Sequence, residues 1–262
     1  MSWVAGLGRM VLDTAESLGQ VAKMVRKSFA LIFSGKWETK LSLDQMNEIG
    51  VASFPVVGLT SLFTGMVLAF QSGFSFMKVF NEPIYVGSVV GLSLVKELGP
   101  VLTSVVISGR VGASITAELG TMNVTEQLDA LYTLGTNPVR YLAVPRYIAM
   151  MIMVPILAAL ANIIGVFGGY LVATLQLNIP GSIYWDEVKM YVDFNDVAHG
   201  IIKSFFFGLI IVTTSCFMGF NCSGGAEGVG RATTRAVVIS MVLILVGDYF
   251  LSALLVTLGI GG

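Results

Sequence analysis

Long apolar runs occupy most of the chain and are separated by short polar segments. A helix needs about 20 predominantly apolar residues to cross the hydrocarbon core of a bilayer. The runs that meet this requirement cover residues of about 51–77, 84–117, 148–175, 197–220 and 236–259. The pattern predicts an all-α integral membrane protein with about five transmembrane helices.

The second apolar run is too long for a single perpendicular crossing of the bilayer, and Pro100 lies near its middle. Proline has no backbone N–H and interrupts the hydrogen-bond ladder of a helix. We therefore expect this span to tilt, to kink or to extend well into the cytoplasm.

The N-terminal region, residues 1–48, has a different pattern from the permease domain that we expect over residues 49–262. Its apolar residues recur at spacings of three, four or seven, and its polar positions are mainly basic. This indicates an amphipathic helix lying in the membrane interface, although a helix packed on another subunit remains an alternative. The apolar positions are Trp3, Leu7, Met10, Val11, Leu18, Val21, Val25, Phe29 and Ile32.

Composition agrees with a membrane protein, because 55% of the residues are hydrophobic and only 12% are charged. A soluble domain averages about 25% charged residues. The formal net charge of -1 offers no basic surface for nucleic acid. Cys216 and Cys222 lack the surrounding pattern of a metal site, and no residue set indicates catalysis.

The basic residues predict the orientation of the spans. Cytoplasmic loops carry an excess of lysine and arginine, which favours a cytoplasmic N-terminus and a periplasmic C-terminus. The loop over 178–196 then lies outside, where we expect a short helix on the membrane surface. The residues assigned to the cytoplasmic side are Arg9, Lys23, Arg26, Lys27, Lys36, Lys40, Arg110, Arg140, Arg146, Arg231 and Arg235.

A polar loop between spans two and three contains a short amphipathic pattern. Asn123 and Glu126 have the spacing of a capping box, and Gly135 is suited to end a helix. We expect a cytoplasmic helix over about 123–135. Its apolar face either folds against its own chain or inserts into a groove on a partner, and periodicity does not separate these alternatives. That face consists of Leu128, Leu131 and Tyr132.

Two long blocks resemble the MlaE (YrbE) family of ABC-transporter permeases. They are KELGPVLTSVVISGRVGASITAELGTMNVTEQLDALYTLGTNPVRYLAVPR, residues 96–146, and GGAEGVGRATTRAVV, residues 224–238. The resemblance implies a homodimeric permease in the bacterial inner membrane that moves phospholipids. It also implies two cytoplasmic ABC ATPase subunits, a periplasmic ring of MCE-domain proteins and often a small STAS-domain regulator.

With this resemblance, the short helix becomes a candidate coupling helix that contacts the ATPase. The expected coupling residues are Glu126, Gln127, Leu128, Asp129 and Leu131. The glycine-rich block over 224–238 is no P-loop, because it has Arg231-Ala232 where a P-loop requires Lys-Ser or Lys-Thr. We therefore expect a partner subunit to use ATP and Mg²⁺, and this chain to bind no cofactor.

Three of the charged residues inside the predicted spans are candidates for a shared site. Lys96 and Glu97 lie in span two and Lys203 in span four, where an ionisable group costs roughly 2.5 to 3.5 kcal/mol on insertion scales and usually faces a cavity or a partner. The resemblance places the charged pair and the lysine of span four near a lipid-binding cavity. Their open roles are a structural ion pair, a headgroup contact and a proton relay. Asp248 is expected near the middle of span five, away from the others.

Apolar side chains at the outer end of span one are candidates for the wall that holds acyl chains. They include Leu68, Phe70 and Phe74, followed by Phe76 and Phe80. Ordinary packing against bilayer lipid is the alternative for these residues.

These features together predict the permease subunit of an ATP-driven transporter that moves phospholipids between the inner and outer membranes. Sterols or other hydrophobic lipids are alternative substrates. An ion-coupled carrier is a rival, although the inverted repeats typical of such carriers are not evident. A membrane anchor is a further rival. An intramembrane hydrolase is least favoured, because His199 is the single histidine and no nucleophile pattern accompanies it.

Overall fold

The computed structural model describes the backbone of residues 2–35, 38–80 and 85–260. Side chains are described for residue 12 and for residues 15–35, 38–79 and 85–260. The predicted interfacial positions Trp3, Leu7, Met10 and Val11, and the aromatic side chain of Phe80, therefore lie outside the described side chains.

The described part of the chain contains helices and no strand. Four short π-helical segments interrupt or precede the α-helices. The elements are α1 (Ser2–Phe33), α2 (Thr39–Met46), π1 (Asn47–Val51), α3 (Phe54–Phe80), α4 (Val86–Ser93), π2 (Leu94–Leu98), α5 (Gly99–Ile107), π3 (Ser108–Gly112), α6 (Ala113–Val124), α7 (Gln127–Thr133), π4 (Val139–Ala143), α8 (Val144–Leu175), α9 (Gly181–Tyr191), α10 (Phe194–Phe220) and α11 (Gly225–Thr257).

Within the described residues, five helical stretches are long and apolar enough to cross a membrane, which confirms the predicted all-α membrane fold. They are Thr39–Val79, Val86–Val124, Val139–Leu175, Phe194–Phe220 and Gly225–Thr257. α9 contacts α4 at the start of span two, whereas α7 contacts α6 at the end of the same span, so α7 and α9 lie at opposite ends of the bundle. We refer to these as the α7 end and the α9 end.

Glycine residues allow α3 and α8 to pack closely against each other. A Cβ atom at Gly65 of α3 would overlap the carbonyl of Gly165 in α8, and one at Gly168 would overlap the carbonyl of Leu62. Only glycine lets two backbones approach this closely. In contrast, α11 packs on α10 and α6 and leaves large apolar side chains exposed, including Leu245 and Tyr249.

Span two is a chain of α and π segments, not one regular α-helix. The π2 segment contains Lys96 and Glu97, and Pro100 follows in the first turn of α5. Pro100 has no N–H to donate to the carbonyl of Lys96 four residues earlier. Nζ of Lys203 donates to that carbonyl over 3.2 Å. The expected disturbance near Pro100 thus takes the form of a π segment in which a backbone carbonyl accepts a hydrogen bond from a side chain of α10.

The helix of the loop between spans two and three is shorter than predicted. It covers Gln127–Thr133, whereas the pattern indicated about 123–135. The predicted capping box is wrong, because Asn123 belongs to α6 and its side-chain amide donates to the Cys222 carbonyl over 2.7 Å. Glu126 has a left-handed backbone with φ 61, which separates α6 from α7.

The predicted stop at the other end of α7 is confirmed. Gly135 has φ 73, and its N–H donates to the carbonyl of Tyr132 over 3.0 Å. The N–H of Thr136 donates to the carbonyl of Leu131 over 3.0 Å. These two bonds form a Schellman motif, which requires a residue that tolerates positive φ.

A helix in the loop over 178–196 is also confirmed, as α9. The carboxylate of Glu187 accepts hydrogen bonds from the N–H groups of Tyr85, over 3.2 Å, and Gly87, over 2.8 Å, at the start of α4. The Tyr184 hydroxyl donates to the Val166 carbonyl over 2.9 Å. Burial, with a smaller contribution from the Glu187 charge, raises the pKa of Tyr184, so this phenol stays protonated as a donor.

The N-terminal amphipathic pattern is helical over Ser2–Phe33, and its later turns touch the bundle. The ring of Phe29 contacts Tyr147 of α8 with centroids 6.2 Å apart, and Ser28 is buried. Leu12 and Phe33 are exposed. Part of the apolar face of α1 therefore packs on its own chain.

Candidate functional site

A fully buried lysine organises the polar residues inside the bundle. Lys203 lies on α10 with a relative exposure of 0%. One turn earlier, a Cβ atom at Gly200 would overlap the carbonyl of Val95. This close approach of α10 to span two allows the lysine side chain to reach π2.

The ammonium group of Lys203 has four acceptors around it. It forms an ion pair with Glu97 and lies 2.5 Å from Oδ1 of Asp248. It also donates to Oγ of Ser252 over 2.9 Å and to the Lys96 carbonyl. The Ser252 hydroxyl donates to Oε1 of Glu97 over 3.1 Å. We call Glu97, Lys203, Asp248 and Ser252 the polar cluster.

The position of Asp248 corrects the expectation from sequence. It was expected near the middle of span five, away from the other charges, but it is a direct partner of Lys203. Asp248 and Ser252 are four residues apart and share one face of α11, which places both against α10. This polar i, i+4 spacing in an apolar span was the available signal.

The two carboxylates are less buried than the lysine they share. The side chain of Glu97 is 42% exposed and that of Asp248 is 22% exposed, whereas Lys203 is 0% exposed. Glu97 and Asp248 are therefore accessible from the surface of the isolated chain, whereas Lys203 is enclosed behind them. Two carboxylates against one ammonium also leave a formal negative charge when all three groups are ionised.

Lys96 has a different partner although it is adjacent to Glu97. Its Nζ lies 3.3 Å from Oδ1 of Asp196, which is buried in the first turn of α10. Asp196 also accepts the N–H of Asp193 in a capping box. The structure thus brings Glu97 and Lys203 together, while Lys96 stabilises the start of α10.

The predicted apolar wall divides into two groups. Leu68 is half-buried and lines an open depression of about 380 Å³ together with Leu98, the neighbour of Glu97. Phe70 and Phe74 do not line this depression; they are exposed, with ring centroids 4.6 Å apart. Of the wall residues whose side chains are described, Leu68 therefore lines the same depression as Leu98, the residue that follows Glu97.

The candidate coupling residues also divide by exposure. Leu128 is buried against its own chain, in the same apolar cluster as Leu119 and Leu142, and Leu131 is half-buried against that cluster. Glu126, Gln127 and Asp129 are exposed. The exposed apolar side chains of this segment are Tyr132 and Leu134. The alternative in which the apolar face folds on its own chain therefore holds for Leu128.

Comparison with known sequences identifies the family. A family profile described as permease MlaE matches residues 42–254. The chain belongs to the MlaE permease family. The matched segment includes the polar cluster and α7 but begins after α1, so the role of α1 is argued from this chain alone.

Individual relatives agree with this MlaE membership. A probable ABC transporter permease protein of Rickettsia typhi is 44% identical over 95% of this chain and 96% of its own length. The intermembrane phospholipid transport system permease protein MlaE of Haemophilus influenzae is 33% identical over 97% of this chain and 98% of its own. The chloroplastic protein trigalactosyldiacylglycerol 1 of Arabidopsis thaliana is 39% identical over 85% of this chain and 63% of its own.

As an MlaE-family permease, the chain is a multi-pass membrane protein and a transport component. Its described residues contain no group of three or more His, Cys, Asp or Glu that could hold a metal ion. Cys216 and Cys222 are buried free thiols, and burial favours an inert role for them.

Proposed function

We propose that this chain is the permease subunit of an ATP-driven transporter that moves phospholipids between the inner and outer membranes. The name of the Haemophilus relative supports the substrate class. The observation that carries a role for the polar cluster is the fully buried ammonium of Lys203, held by two carboxylates that are partly exposed. A charged group in a span is costly and usually serves a cavity or a partner.

In this proposal, the polar cluster lines the pocket that receives the lipid headgroup. Glu97 and Asp248 neutralise Lys203 when the pocket is empty, and a phosphate group competes with them for the ammonium. The depression lined by Leu68 and by Leu98, the residue after Glu97, offers apolar surface for acyl chains. Lys96 supports the pocket indirectly by pairing with Asp196.

The proposed assembly is a homodimer with a cytoplasmic ABC ATPase, a periplasmic MCE-domain protein and a STAS-domain protein. The α7 end faces the cytoplasm in this arrangement, with the C-terminus in the periplasm. The exposed apolar face of α11 is the surface that we assign to the second permease copy, because apolar side chains such as Leu245 and Tyr249 can pack there. ATP and Mg²⁺ act on the partner ATPase.

The deciding experiment is lipid mass spectrometry on the complex purified with its ATPase, followed by reconstitution into vesicles. We expect bound phospholipid, ATP-dependent movement of that lipid, and loss of bound lipid in Glu97→Gln. Recovery of sterol in place of phospholipid would change the substrate class. Absence of an associated ATPase would contradict the function itself.

One observation favours a second candidate, an ion-coupled lipid carrier. The polar cluster contains two carboxylates and a lysine in direct contact, which is also a suitable arrangement for a proton relay. Vesicles with a proton gradient and no ATP distinguish the candidates. Lipid movement driven by the gradient alone would favour the carrier.

A further inference from the structure

Another ion pair lies at the α7 end, remote from the polar cluster. Nη2 of Arg146 in α8 is 2.7 Å from Oε2 of Glu118 in α6. Nη1 of Arg146 also donates to the Leu142 carbonyl over 2.9 Å. The arginine side chain is 3% exposed, whereas that of Glu118 is 50% exposed.

This ion pair joins α6 and α8, the two helices that flank the loop carrying α7. We call these two helices the stems of the loop. Glu118 lies in the last turns of α6 and Arg146 lies in the first turn of α8, so all of α7 and π4 falls between them. The two stems share α10 as a neighbour, but α6 also packs on α11 and α8 also packs on α3. The pair therefore joins two helices that each contact a further helix of their own.

The loop has an apolar attachment as well. Leu128 of α7 is buried in one cluster with Leu119 of α6 and Leu142 of π4. Leu128 therefore attaches α7 to α6 and π4, and the ion pair joins α6 to α8 at the base of the same loop. These contacts form a physical route from α7 to α6.

Span two connects this loop to the polar cluster. Glu118 and Glu97 lie on the same span, which covers Val86–Val124. They are about 30 Å apart at 1.5 Å per residue. One helical span therefore has the ion pair near one end and a member of the polar cluster near the other.

We propose that Glu118 and Arg146 are positioning residues that couple movement of α7 to the polar cluster. This inference rests on the proposed function, since it assumes that an ATPase acts on α7. Breaking the pair separates the stems, so ATP hydrolysis continues while its movement no longer reaches Glu97. The pair contacts neither lipid nor nucleotide.

Glu118→Gln is the suitable test variant because it keeps the side-chain shape. Glu118 lines a cavity of about 180 Å³ together with polar residues such as Gln45 and Arg110 and with Ile49, Val111 and Ile115, so the cavity leaves space for an amide at this position. The variant is reconstituted with the ATPase in phospholipid vesicles, and ATP hydrolysis and lipid movement are measured on the same sample. Wild-type vesicles must show ATP-dependent lipid movement, which tests the proposed function separately.

We expect the ratio of lipid moved to ATP hydrolysed to fall by about fivefold or more, while bound ATPase and its hydrolysis rate stay near wild type. Glu118→Asp keeps the charge on a shorter side chain and should give an intermediate ratio. Glu227→Gln is the matched control, since it breaks the exposed i, i+4 pair with Arg231 and should leave the ratio unchanged. An unchanged ratio in Glu118→Gln, or an equal loss of hydrolysis and lipid movement, overturns the inference.

The neutral double variant separates coupling from folding. Glu118→Gln with Arg146→Met removes the buried charge together with its partner, so it should recover any thermal stability that Glu118→Gln loses. Its transport ratio should remain low, because the link between the stems is still absent. Recovery of the ratio together with stability would show a purely structural pair and contradict the inference.

Discussion

Nζ of Lys203 lies 2.5 Å from Oδ1 of Asp248, which joins α10 to α11 in the interior of the bundle. The same ammonium also pairs with Glu97 of span two. Three of the five spans therefore meet at one buried lysine. Loss of the lysine has different consequences from loss of either carboxylate.

Removal of the lysine should be the most destabilising single change in the polar cluster. Lys203→Met leaves Glu97 and Asp248 as two neighbouring carboxylates without a common cation, and because both are partly exposed the cost should stay below the about 3–5 kcal/mol of a fully buried unpaired charge. Glu97→Gln and Asp248→Asn each leave Lys203 with one carboxylate, so each should cost less. Thermal unfolding of the detergent-purified variants measures the order.

The two carboxylates should compensate for each other in a double-mutant cycle. Glu97→Gln with Asp248→Asn leaves Lys203 with no carboxylate, so the double variant should lose more stability than the sum of the single losses, by about 0.5–3 kcal/mol. Additive losses would show that the lysine does not share its charge between them.

The sequence predicted the spans and the charged residues within them, but not the contact between Asp248 and Lys203. The apolar runs gave the number of helices, because each run exceeds the length that a bilayer requires. The contact of Asp248 with Lys203 depends on how α11 is rotated against α10, and an apolar helix carries little periodicity to set that rotation. The i, i+4 spacing of Asp248 and Ser252 was the local feature of the sequence that indicated a polar face on α11.

The error at Asn123 has a different physical origin. Its spacing to Glu126 matched a capping box, but α6 continues past it to Val124. The Asn123 side chain bonds to the Cys222 carbonyl, ninety-nine residues away along the chain. A tertiary contact thus replaced the local cap, and no local pattern reports such a contact. The stop at Gly135 was predictable because positive φ is a property of the residue itself.

The α7 segment should show two distinct phenotypes. Tyr132→Asp and Leu134→Asp alter exposed apolar side chains, so they should abolish ATPase association while the permease stays folded. Leu128→Asp places a carboxylate in the apolar cluster, where full burial of a leucine contributes about 1.5–3 kcal/mol, and it should destabilise the permease itself. Pull-down of the ATPase and thermal unfolding separate the two effects. Normal ATPase recovery from Tyr132→Asp and Leu134→Asp would contradict a role for these two exposed side chains in ATPase binding.

Lipid contact should be confined to the neighbourhood of the polar cluster. A photo-crosslinking amino acid at Glu97 or Leu68 should capture phospholipid in the purified complex, since Leu68 lines the same depression as Leu98, the residue after Glu97. The control position is Asp129 on α7, which is exposed at the opposite end of the bundle. Mass spectrometry of the adducts identifies the lipid. No adduct at Glu97 and Leu68, or equal adducts at all three positions, would remove both residues from the pocket.

Gly200 should be as sensitive to substitution as the charges it helps to position. A Cβ atom at this residue would overlap the Val95 carbonyl and force α10 away from span two. Because that close approach brings Lys203 to Glu97, Gly200→Ala should lower both thermal stability and lipid binding. The matched control is Gly230→Ala in α11, where a Cβ atom has no heavy atom within 4 Å. Alanine is favoured over glycine within a helix by about 1 kcal/mol, so this control should be neutral or stabilising. If Gly200→Ala behaved like Gly230→Ala, the polar cluster would not depend on the contact between these two spans.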